Sequence, residues 1–111
     1  MELKVKIETY HKMLECKMLD VSQRAQGMQK EVIPGLTVRY DRKLSQKAFG
    51  YPDIIDITLK IAEGAEAGLI ARWLYGKFNG RVVKLEVERT EVSLSEDEIT
   101  RILVEKMKQS Q

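Results

Sequence analysis

At 111 residues, 43% of them hydrophobic and 32% charged, the chain holds enough apolar material for one core. This excludes a second independently folding domain and argues against global disorder, so residues 1–111 read as a single domain. The net charge of +2 does not by itself mark a nucleic-acid or membrane-surface binder, although the first fifty residues hold ten Lys or Arg against six Asp or Glu. Cys16, the one cysteine, excludes an intrachain disulfide and a thiolate-rich zinc site.

The chain begins with Leu3, Val5 and Ile7 alternating with Glu2, Lys4, Lys6 and Glu8, the pattern of a half-buried strand over residues 2–9. An alternating start is unlike the unbroken apolar run of a secretory signal, and a cytoplasmic location is the expectation. Leu14, Met18, Val21, Ala25, Met28 and Val32 then recur at intervals of four and three, which predicts a helix over residues 11–32. Cys16 reads as a small apolar side chain on that helix, and His11 as a residue of the junction before it. Pro34-Gly35 stops the helical period, and Leu36 to Tyr40 reads as a second strand. Residues 41–51 read as a polar, accessible loop.

From Pro52 the pattern changes again. Ile54, Ile57, Ile61, Ala65, Leu69, Trp73 and Gly76 trace a helical stripe, with Asp53 and Asp56 suited to the helix's positive end, so residues 52–78 are predicted to form one helix. Gly64 and Gly68 could admit a close backbone neighbour, or could divide the stretch into two helices near residue 63. Asp56, Lys60, Glu63, Glu66, Arg72 and Lys77 break its hydrophobicity, so no membrane span is expected. After Asn79-Gly80, Val83, Leu85 and Val87 alternate with Lys84, Glu86 and Glu88 as a strand, and residues 91–94 can return antiparallel to it. Ser95 followed by Glu98 has the spacing of a capping box and opens a last helix, with Ile99, Ile102, Leu103, Lys106 and Met107 on its inward side. The expected fold is a small α/β domain, with α+β as the alternative. It has a mixed sheet, helices packed mainly on one face, and the order β-α-β-α(α)-β(β)-α.

The chemistry-bearing residues are sparse. His11 is the sole histidine and has no nucleophile beside it; Asp53, Asp56 and Glu63 could meet a hard cation only if a loop supplied further oxygens. Gly64 and Gly68 lack the Lys-Ser or Lys-Thr pair of a phosphate-binding loop. The expectation is therefore no catalytic set, no metal site and no cofactor. Arg39, Tyr40, Arg42, Lys43 and Lys47 place four cations and an aromatic ring on one strand and loop, which could contact phosphates and stack a base. Arg72, Trp73, Tyr75, Lys77 and Phe78, with Gly64 and Gly68, form a mixed aromatic and basic surface suited to a protein interface, with Trp73 leaning to the core and Tyr75 to solvent.

The run from Asp53-Ile54-Ile55-Asp56 through Ala67-Gly68-Leu69-Ile70-Ala71-Arg72-Trp73-Leu74, then Val82 to Val87 and Ile99 to Leu103, resembles the effector-associated constant component family. These are small bacterial proteins that accompany effector modules in conflict or signalling systems. Residues 62–68 stand at the family's glycine- and alanine-rich break, here with two glutamates. The resemblance covers nearly the whole chain and implies an accessory or adaptor role with no assigned reaction. Binding to a protein, either another copy or an effector, is the function the sequence favours. Nucleic-acid binding through residues 39–47 is the alternative, and a small enzyme completed between subunits is a second one.

Overall fold

A computed structural model of the chain describes residues 1–45 and 50–109. Its first strand, β1 (Glu2–Thr9), follows the alternation read from the sequence, with Leu3, Val5, Ile7 and Thr9 buried and the intervening charges outward. The helix expected over residues 11–32 is a correction: α1 spans only Leu14–Leu19 and ends at Asp20, whose φ of 53° takes the chain out of the helix. Gly27, at φ +88°, starts a return along Tyr40, and Gln29–Ile33 is strand β2. The four-and-three stripe is thus shared between unlike elements. Leu14 and Met18 reach the core from α1, whereas Val21, Met28 and Val32 pack against it from loop and strand.

Pro34-Gly35 makes the tight connection to β3 (Leu36–Leu44), with Gly35 at φ +88°. This strand runs four residues into the segment expected to be a loop from Asp41. The larger correction follows, since Asp53–Ile61 is strand β4 and not the first half of a helix. Its apolar residues satisfy both periods, but Ile54, Ile55, Ile57, Thr58 and Ile61 are β-branched and suit a pleated surface flanked on both sides by other strands. The chain does break near Gly64, at φ +84°, but into a strand and a helix and not into two helices, and α2 begins only at Ala67 and runs to Phe78.

Strand β5 (Val82–Val87), the short β6 (Thr90–Val92) and helix α3 (Glu96–Gln109) complete the order. Ser95 Oγ accepts the Glu98 N–H at 3.2 Å, one half of the capping box. The described residues form one six-stranded sheet in the order β2-β3-β4-β1-β5-β6, and every pairing is antiparallel. The mixed sheet expected from the sequence is therefore wholly antiparallel among the described residues, and β4 lies between the 2–9 and 36–40 strands.

The core sits between one sheet face and the helices. Leu3, Val5, Ile7, Val38, Ile55, Ile57, Leu59 and Leu85 meet Leu14 and Met18 of α1, Ile70, Leu74 and Phe78 of α2, and Ile99, Ile102 and Leu103 of α3. The small α/β class with helices on one face is what this chain adopts. No described helix is long and apolar enough to cross a membrane.

Candidate functional site

The helical surface singled out from the sequence is only partly a surface. Phe78 is fully buried among core residues, and Tyr75, expected to be exposed, is half-buried against them. Trp73 is also half-buried, and the Lys77 ammonium lies 5.9 Å from its ring centroid while donating to the Lys17 carbonyl at 3.3 Å. Arg72 projects outward to Glu96 of α3 at 3.5 Å, with Leu69 half exposed one turn before it. Gly64 and Gly68 are exposed, and a Cβ built on either meets nothing within 4 Å, so neither admits a close neighbour within the chain.

The basic segment is split by a register shift between Tyr40 and Arg42. One extra residue in a strand reverses which face later side chains occupy. Before the shift Tyr40 points into the core and is 5% exposed, which removes it from base stacking. Burial raises its phenol pKa, and Glu15 reinforces the effect against the opposing charge of Arg24. After the shift Lys43 turns inward beneath α1, with its ammonium 3.3 Å from the fully buried Glu15 carboxylate and 3.7 Å from Asp53. Arg24 caps Glu15 from outside at 2.9 Å. Lys47 lies outside the described residues. Arg39 and Arg42 do face outward, but each is held by a carboxylate, Asp41 at 2.7 Å and Asp56 at 2.6 Å. The five residues thus do not share one surface.

Asp53 and Asp56 stand on opposite faces of β4, and Glu63 lies in the turn beyond, so the three oxygens considered for a cation are not brought together. Among the described residues no cluster of His, Cys, Asp and Glu has the grouping of a metal site. His11 stands at the β1–α1 junction, as expected.

What the fold assembles instead is the sheet face that the helices leave uncovered. Its centre is Thr58, whose fully buried hydroxyl donates to Asp41 at 2.6 Å and accepts from Arg39 at 3.1 Å and Lys4 at 3.0 Å. Burial alone would raise the Asp41 pKa, but the hydrogen bonds from Thr58 and Arg39 and the charges of Arg39 and Lys4 outweigh it, and the carboxyl titrates below its ordinary range. Around this centre Lys60 donates to Gln29 at 2.9 Å, and Lys84 lies 3.6 to 3.8 Å from Glu8, Glu86 and Glu91, which together raise its pKa. At one end the face turns apolar: Leu44 stands opposite Ile54, and Leu44, Tyr10 and Tyr51 are each more than half exposed.

The same face holds an open concavity of about 1140 Å³. Lys4, Lys6, Arg39, Asp41, Arg42, Asp56 and Glu86 form its floor, and Glu88 and Arg89 of the β5–β6 turn, with Lys106 of α3, stand around it. No family model, no curated protein and no solved structure matches the chain.

Sequence reasoning missed this surface because it read residues 54–60 as helical. The signal was available: Ile54, Asp56, Thr58 and Lys60 alternate in step with Glu2, Lys4 and Lys6 and with Lys84 and Glu86, so one period of two would have aligned the three strands' outward residues.

Proposed function

We propose that this chain is a small non-enzymatic accessory or adaptor module that binds another protein through the uncovered face of its sheet. The observation that carries the reading is the Thr58-centred network with the concavity around it. Side chains from β1, β3 and β4 are fixed to one another across three strands, which presents a rigid polar surface. An interface pre-organised in this way loses less side-chain entropy on docking. The exposed apolar end at Leu44, Tyr10 and Tyr51 adds the large side chains that interface centres favour. Acting beside an effector is the setting that the sequence resemblance suggests. Leu69 and Arg72 on α2 would supply a second, smaller contact.

The test is a photo-crosslinking amino acid placed at Arg42 or Lys60 on the sheet face, or at Leu69 on α2, in the producing cell. The sheet-face positions should each give an adduct with one and the same protein. Failure of all three positions to trap any protein would overturn the reading.

A further inference from the structure

We propose that the concavity on the uncovered sheet face takes an acidic, extended segment of the partner protein; this rests on the protein-binding reading above and names the partner's chemistry. Most carboxylates around the concavity are already engaged. Asp41 is held by Arg39 and Thr58, Asp56 by Arg42, Glu86 by Lys84, and Glu88 accepts the Lys4 backbone N–H at 2.8 Å. The cations are not matched in the same way. Lys6, Arg89 and Lys106 form no ion pair among the described residues, and the Lys4 ammonium is bound only to the Thr58 hydroxyl. Lys6 stands in register between Asp56 and Glu86, both of which are drawn to other cations. Lys6, Arg89 and Lys106 therefore line the concavity with no carboxylate in ion-pairing reach among the described residues, while Lys4 is tied to Asp41 through Thr58 and its own charge, and Glu2 and Glu88 form no ion pair there.

A second feature points to the same place. The two-residue β5–β6 turn puts Glu88 at φ 48° and Arg89 at φ 68°, the left-handed region in which Asn-Gly is the inexpensive choice. Glu88 offsets part of that strain by gripping the β1 backbone. Among the described residues Arg89 has no such return, and its guanidinium is delivered to the concavity by a conformation that disfavours it.

The occupant's chemistry follows from the pattern. A phosphate backbone carries charge at every step and would meet Asp56 and Glu86 as often as Lys6. A protein segment in an extended conformation directs alternate side chains to the floor, and its acids can be spaced to the cations. The concavity is open and larger than the ~300–1,000 Å³ of ordinary small-molecule pockets.

The experiment is an amide chemical-shift titration of the full chain with three probes: a capped twelve-residue peptide alternating Glu with Ser, the same peptide with Lys for Glu, and a twelve-nucleotide single strand of DNA. The Glu peptide should shift Lys4, Lys6 and Arg89 saturably, and the double variant Lys6→Ala, Arg89→Ala should weaken it roughly five- to ten-fold, the range expected of two exposed ion pairs. A well-dispersed spectrum of the variant establishes that it is folded. No saturable shift with the Glu peptide, shifts confined to the helices, or equal or stronger binding of either other probe would overturn the inference. The crosslinking experiment separates the two failures: adducts from the sheet face with no Glu-peptide binding leave protein binding standing and remove the acidic segment.

Discussion

Replacing Lys43 by Met gives the sharpest test of the register shift in β3. Read as a loop residue, Lys43 would be solvated and dispensable; in the fold it is 8% exposed and serves Glu15, 0% exposed, and Asp53, 2% exposed. Its loss leaves Asp53 with Lys12 alone at 3.8 Å and Glu15 with Arg24. Breaking a buried pair from one side costs about 3–5 kcal/mol, and the lower end applies here because Arg24 still covers Glu15. At ~4 °C per kcal/mol for a domain of this size, the midpoint should fall by about 12 °C. Arg42→Met, one residue earlier but on the open face beside Asp56, should leave the midpoint almost unchanged. Adding Asp53→Leu to Lys43→Met should recover part of the loss, because it removes the carboxylate left behind. Urea unfolding monitored by circular dichroism, with thermal melts in parallel, measures all three. Equal melting of Lys43→Met and Arg42→Met would refute the inward placement of Lys43.

Three further outcomes are expected. Arg89→Gly should stabilise the fold by about 1 kcal/mol through release of the left-handed strain, a rise in the urea midpoint that accompanies weaker binding of the acidic probe. Gly35→Ala should destabilise more than Gly64→Ala in the same assay: both need positive φ, but only at Gly35 would the new Cβ also press on Ala65, 3.1 Å away. The Asp41 carboxyl, with its folded pKa depressed, contributes stability that is fully present above its unfolded value of about 3.9 and is lost as pH falls through the folded one. Asp41→Asn should therefore lower stability at pH 7 and flatten its fall below about pH 4, as followed by chemical denaturation at each pH.

Legibility in the sequence tracked how far one face alone was buried. β1 alternates apolar with charged residues along its length. β5 does so from Lys84 to Val87, beyond the register shift opposite Thr9 that buries Val82 and leaves Val83 exposed, and both strands were readable. So was α3, through Ser95 and its inward Ile99, Ile102 and Leu103. β4 lies between β3 and β1, and Ile54 and Thr58 on its uncovered side blurred the alternation into an apolar run that a helix could also satisfy. Residues 14–32 failed differently, since their helical spacing was produced by a helix, a loop and a strand facing the same core. The candidate face was hidden for a combinatorial reason: its residues come from β1, β3, β4 and β5, and only the strand order brings Lys4, Thr58 and Arg39 together. The 39–43 cluster was visible as composition, but the bulge that sends Lys43 inward has no signature in those five letters.

The place of β1 in the strand order bears on how the molecule is made. Strands β2, β3 and β4 follow one another in sequence and can zip as successive hairpins while the ribosome is still working, and β5 with β6 can do the same. Strand β1, made before the other five, can pair with β4 once that strand exists, but its second neighbour is absent until Val87 has been translated. At ~5–20 residues per second, Leu3, Val5 and Ile7 stay unclosed for several seconds or longer. Slower translation lengthens that interval, during which one edge of β1 keeps its backbone N–H and C=O groups open to pairing with another chain.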